Sequence, residues 1–135
     1  FNKKYFLSLS EQSRELGCIP DFNITGSKNP APNLLDEPIR TASGHIHIGW
    51  DSGLDPNDPG HFEDCRFVAH YFYSRNTFAS LNADSAIRLN YYGYQGSFRP
   101  KAYGVELRSP DNLWVRTSES RIKMFSKIAS HLENF

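Results

Sequence analysis

Apolar and polar positions alternate in two short stretches of the chain and recur at helical spacing in two longer ones. From Thr41 to Trp50 the alternation is regular: His45, His47 and Gly49 fall on one side, Ile46, Ile48 and Trp50 on the other. Period-two alternation predicts a half-buried strand. Tyr103 to Ser109 repeats the pattern, with Val105 and Leu107 on one face and Gly104, Glu106 and Arg108 on the other. Between the two, Phe62, Cys65, Ala69 and Phe72 recur at spacings of three and four, which predicts a helix over His61 to Tyr73. A further helix is expected from a Ser118 cap to about His131. Its buried stripe would be Ile122, Phe125, Ile128 or Ala129, and Leu132.

The remaining stretches read less sharply. Ser8 to Leu16 is expected to form a short helix, capped by Ser8 with Glu11 three residues on and stopped by Gly17. Pro20 to Pro38 is rich in Asn, Pro, Gly and Asp, which is loop chemistry. An ordered active-site loop is preferred there over a flexible linker, because Phe22, Ile24, Leu34 and Leu35 give it something to bury. Asp51 to Pro59 reads as a surface loop, Ser74 to Ala86 as a loop or broken helix, and Ala86 to Tyr91 as a short strand or helix end. Tyr92 to Pro100 reads as a Gly- and aromatic-rich loop, and Pro110 to Asn112 as a turn. The fold class that follows is α+β: a mostly antiparallel sheet with helices packed on one face and a polar second face, in a single domain over residues 1–135.

Composition narrows the functions. With 15 basic and 15 acidic residues in 135, no global field invites nucleic acid or an anionic membrane. No apolar run approaches the roughly 20 residues that cross a bilayer, and no signal peptide is visible. Cys18 and Cys65 stand far apart without metal-ligand spacing, so both read as free thiols and point to the cytoplasm. The chain opens on Phe1, which reads as a fragment, a processed product or the ordered part of something longer.

Three segments can carry chemistry. In Gly44–Gly49 the two imidazoles project to one side of a strand, roughly 7 Å apart at the backbone. They are either a metal or phosphate site or two half-exposed histidines without a ligand. In Gly104–Ser109, Glu106 and Arg108 share a face, either as a solvated pair or as a cation-holding carboxylate beside a phosphate-holding guanidinium. The passage Arg88 to Lys101 concentrates Arg88, Arg99 and Lys101 among glycines and aromatics, with an aromatic core cluster or single-strand nucleic-acid stacking as competing readings. The neutral charge balance speaks against the last. Cys65 reads as buried packing and not as a nucleophile.

Gly44-His45-Ile46-His47-Ile48-Gly49 followed by Gly104-Val105-Glu106-Leu107-Arg108-Ser109-Pro110-Asp111-Asn112 resembles the catalytic signature of the glutamine synthetase superfamily. Arg40 to Gly49 and Tyr92 to Arg108 are similar, more closely, to the carboxylate-amine ligases (amidoligases) encoded by tailed phages. The stretch Glu11 to Asn23, with Asn29-Pro30, adds to that likeness. The resemblance runs from Tyr5 to Trp114 and is specific at the two polar strands. It implies half of a glutamine-synthetase-like catalytic domain, its C-terminal part, in an ATP-dependent ligase. His45 and Glu106 would ligate Mg²⁺ or Mn²⁺, and His47 would contact substrate or phosphate. Arg88, Arg99 and Arg108 would neutralise the transferring phosphoryl group, with Lys101 as a helper. The implied partners are a carboxylate and an amine, plus an upstream half of the domain, with no nucleic acid and no membrane. The implied location is a host cytoplasm, with a virion as the alternative. Family members carry further metal-binding glutamates on earlier strands, and no Asp-Pro-Glu or Glu-x-Glu strand occurs here. The expectation is therefore an incomplete metal site in this polypeptide. A non-catalytic phage structural or interaction protein that keeps the sheet is the competing expectation, and a small metal-dependent binding module whose histidines serve another reaction is a third.

Overall fold

The computed structural model describes residues 2–15, 19, 21–31, 35–38, 44–78, 94, 96–110 and 112–135. In chain order it contains helices α1 (Lys3–Ser8) and α2 (Glu11–Arg14), strand β1 (His45–Gly49) and helix α3 (Pro59–Ser74). Strands β2 (Phe98–Lys101) and β3 (Gly104–Arg108), a 3₁₀ turn (Leu113–Val115) and helix α4 (Ser118–Leu132) follow. The class is α+β, with a three-stranded antiparallel sheet in the order β1-β3-β2.

The sheet places β3 in the middle. His45 stands opposite Arg108, His47 opposite Glu106 and Ile48 opposite Val105. On the other side Phe98 faces Leu107, and Arg99 faces Glu106. Because side chains alternate along each strand, this register sorts the sheet cleanly. Ile46, Ile48, Phe98, Pro100, Val105 and Leu107 point to one face; His45, His47, Arg99, Lys101, Glu106 and Arg108 point to the other. The apolar face packs on Cys65, Val68, Ala69 and Phe72 of α3 to form the core. Phe72, Phe98 and Val105 are fully enclosed, each contributing roughly 1.5–3 kcal/mol through burial.

Helix α3 starts where its sequence dictates. The Asp58 side chain accepts from the His61 amide at 2.8 Å, and Pro59 occupies the first turn, where its missing N–H costs nothing. The β2–β3 connection is a turn through Ala102 and Tyr103. Gly104 closes it at φ +146°, against the backbone of Ile48 and Gly49, where a side chain has no room. His61 Nε2 donates to the Lys101 carbonyl at 2.9 Å. The Cys65 thiol donates to the Gly104 carbonyl at 3.4 Å. The helix thus grips both ends of that turn.

Several expectations change. The single helix over Ser8 to Leu16 is instead two short ones. Ser8 ends α1, and Ser10 is the cap of α2, accepting from the Ser13 amide. Residues 98–100, expected in a loop, belong to β2. Pro100 is tolerated there because β2 lies at the edge of the three-stranded sheet. The α4 stripe is mostly wrong: Ile128 is buried, but Ile122 and Phe125 are exposed. The cap of α4 is Thr117 in a reciprocal capping box with Ser120, not Ser118. Helix α4 meets the core through its C-terminal half, where Tyr71 donates to the His131 carbonyl at 2.7 Å, while its N-terminal half lies against the 3₁₀ turn, with Phe125 edge-on to Trp114. The expected element over Ala86 to Tyr91 lies outside the described residues.

Among the described residues, no helix is long and apolar enough to cross a membrane.

Candidate functional site

The polar face of the sheet is organised around one carboxylate. Glu106 sits on the central strand, so the register surrounds it: His47 on one flank, Arg99 on the other, Arg108 two residues along, His45 and Lys101 on the diagonals. It is 3% exposed although it is ionisable. Lys101 Nζ lies 2.8 Å from Oε2. His45 Nδ1 lies 3.1 Å, Arg99 Nη1 3.3 Å and Arg108 Nε 3.8 Å from Oε1. Burying a lone carboxylate would be prohibitive, and these neighbours are what make it tolerable.

A second carboxylate arrives from the loop of residues 21–29. Phe22 and Phe98 exchange backbone hydrogen bonds of 2.9 and 2.8 Å, which ties that loop to the sheet beside β2. Asp21 is thereby brought within 2.9 Å of Arg108 Nη1. Asn29 Nδ2 donates to Asp21 Oδ1 at 2.8 Å and lies 3.1 Å from Ser97 Oγ, so the anchor is itself buried and polar. Gly96 permits this docking, because its φ is +70° and a Cβ there would collide with the Ile24 side chain. Of the loop expected over Pro20 to Pro38, residues 21–31 and 35–38 are described, and Pro20 and residues 32–34 lie outside the described residues.

The protonation pattern follows from these contacts. Burial would raise the Glu106 carboxyl, but the Lys101 hydrogen bond and the charges of Arg99, His45 and Lys101 outweigh it and hold the pKa below the usual range. Burial is the main reason His45 is pushed below its ordinary value; Glu106 opposes that shift while Arg108, Arg99 and His47 add to it. A neutral His45 with Nδ1–H on Glu106 leaves Nε2 as a bare lone pair. That atom is buried and has no hydrogen-bond partner among the described residues. His47 is exposed, and its Nδ1 is hydrogen-bonded to the Tyr103 hydroxyl.

His45, His47 and Glu106 each offer one ligand atom, all within 4.8 Å of one another. Two imidazoles and a carboxylate fit a divalent cation in number, kind and spacing, and the unpartnered lone pair of His45 supplies an open donor. The surrounding charge is less accommodating. Arg99, Lys101 and Arg108 carry three positive charges against the two carboxylates Asp21 and Glu106. One positive charge is left over on this face, which favours an anion.

No family model matches this chain, nor does any curated protein or solved structure.

Of the site residues expected from the sequence, His45, His47, Arg99, Lys101, Glu106 and Arg108 are brought together on one face. Arg88 lies outside the described residues. Two participants were not singled out from the sequence as site residues. Asp21 sits in a loop whose docking depends on a strand read as loop, and Tyr103 sits in a turn that becomes visible once β2 is recognised. The signal available for Asp21 was its place just before the apolar Phe22 and Ile24, which anchor the loop.

Proposed function

We propose that this chain is the C-terminal half of the catalytic domain of a phage-type, ATP-dependent carboxylate-amine ligase. The observation that carries the reading is the ring of Arg99, Lys101, Arg108, His45 and His47 around the buried carboxylate Glu106. Such a surface is built to neutralise a transferring phosphoryl group, whose catalysis is largely positioning and electrostatics. In the reaction, a carboxylate oxygen of one substrate takes the γ-phosphoryl group and ADP leaves. The nitrogen of the amine then attacks the acyl carbon, phosphate departs, and the amine proton is released as the amide forms. Arg99 and Arg108 hold the equatorial oxygens, and Lys101 assists. His47, the exposed imidazole, contacts the phosphate or the substrate. His45 and Glu106 would hold Mg²⁺ or Mn²⁺, which when bound screens the charge of the polyphosphate.

Calorimetric titration of the full chain with ATP and Mg²⁺ tests this, using wild type and Glu106→Gln. Saturable binding that the substitution abolishes is expected. Absence of heat in both proteins, and in a longer chain that carries the upstream half of the domain, rejects the ligase reading. It would favour a non-catalytic phage structural protein instead, which one observation also supports: Glu106 already has both oxygens paired within the chain.

A further inference from the structure

The carboxylate that would hold a cation is not free to do so. Lys101 Nζ occupies Oε2 of Glu106 at 2.8 Å, while Arg99 Nη1 and His45 Nδ1 share Oε1 at 3.3 and 3.1 Å. A bare divalent ion approaching His45 and His47 would meet Arg99, Lys101 and Arg108 before gaining a negative ligand. Like charges at contact distance repel strongly in a partly buried site. An oxyanion meets the opposite situation, since Lys101 and Arg99 are partly accessible, at 28% and 20% of their side-chain surfaces. Arg99 Nε, moreover, is buried without a hydrogen-bond partner among the described residues. That N–H is a donor not yet used.

We infer that Arg99 and Lys101 latch Glu106, so that a divalent cation enters only with, or after, a phosphate-class oxyanion that draws these two side chains off the carboxylate. The inference rests on the ligase reading of this face and adds an order of binding to it. An anion taking Lys101 and Arg99 leaves Glu106 with an oxygen to offer and contributes negative charge of its own. Cation and anion therefore bind with positive coupling, and each raises the affinity of the other by the same factor. The latch also makes an unusual demand: removing a positive side chain must help the metal bind even when no anion is present.

The test measures Mn²⁺ binding to the full chain by the loss of the free-ion electron paramagnetic resonance signal. Sulfate serves as the oxyanion because it complexes Mn²⁺ only feebly in solution, and chloride holds the ionic strength constant. Weak binding of Mn²⁺ alone is expected, tightening about tenfold or more with sulfate. Lys101→Gln and, independently, Arg99→Gln should bind Mn²⁺ alone more tightly than wild type and lose most of the sulfate effect. Circular dichroism confirms that each variant is folded, and either one suffices. Equal Mn²⁺ affinity with and without sulfate in wild type overturns the latch, and so does sulfate binding with no Mn²⁺ binding. If ATP with Mg²⁺ still binds in either case, the ligase reading survives. If ATP with Mg²⁺ fails to bind as well, both in this chain and in a longer one that carries the upstream half of the domain, the ligase reading falls and the latch falls with it.

Discussion

Arg108 Nη1 lies 2.9 Å from Asp21 Oδ2, joining the central strand to a loop from the far end of the sequence. Both side chains are largely enclosed, at 13% and 12% exposure, so the pair is held where solvent screens it poorly. Asp21→Asn keeps the acceptor for Asn29 but removes the charge opposite Arg108. An enclosed guanidinium stripped of its nearer carboxylate costs about 2–3 kcal/mol. Urea denaturation should show a lower midpoint with an unchanged slope. A loss under about 0.5 kcal/mol, the scale of an ordinary surface change, would mean that the pair is effectively solvated.

The polar face should also make stability depend on pH. His45 titrates below its ordinary value when folded, so the unfolded chain binds more protons than the folded chain just below about pH 6.5. Stability then falls as pH drops through that window. Glu106, also lowered, adds a second decline of the same sign below the usual carboxylate range. His131, lowered mainly by burial and then by Lys127 and Arg75, contributes to the upper limb in parallel. Thermal melts of wild type should be flat from neutral pH upward and decline on acidification. His45→Asn should flatten part of the upper decline and, by removing one of the charges that lower Glu106, shrink the lower one without abolishing it. An unaltered profile in that variant would remove His45 from the account.

How much of this was legible beforehand depended on whether a local pattern decided the outcome. The two polar faces of β1 and β3 were readable because period-two alternation fixes which side a residue takes, whatever the partner strand. What the pattern could not supply was the order β1-β3-β2, and with it the fact that Glu106 is central and ringed. Strand β2 was hidden because Pro100 and the neighbouring glycines mimic loop chemistry, whereas an edge strand tolerates such residues. The position of Asp21 is set by the Phe22–Phe98 pairing, a long-range contact of which the neighbouring apolar Phe22 and Ile24 are the only local sign. The α4 stripe failed in another way. Ile122 and Phe125 have the right period, but that half of the helix lies against the 3₁₀ turn, where Phe125 meets Trp114 edge-on, and Ile122 and Phe125 stay exposed.

Cys65 provides a kinetic probe of the core. Its thiol is fully buried, and burial, with Asp64 adding, pushes its pKa up to about 12. The thiolate, which is the reactive form, is therefore scarce and inaccessible. In a Cys18→Ser background, modification of Cys65 by an aromatic disulfide reagent should be slow and track opening of α3 from the β2–β3 turn. The rate should rise steeply with urea. Rapid labelling in native buffer would contradict the packing of α3 on that turn.

The turn itself offers the strictest test of the register. At Gly104 a Cβ would collide with the carbonyl of Ile48, a backbone atom of the paired strand, and φ is +146°. Neither the clash nor the conformation can be relieved without separating β1 from β3, the contact that sets His47 opposite Glu106. Gly53 has a similarly unusual φ, +76°, but open space around it. Gly104→Ala should accordingly cost about 3 kcal/mol or more, while Gly53→Ala should cost only the left-handed backbone penalty of about 1–2 kcal/mol. Equilibrium denaturation of the two variants side by side separates steric exclusion from backbone strain. Equal losses would show that the β1–β3 contact does not need a glycine, and the arrangement of the polar face drawn from that register would fail with it.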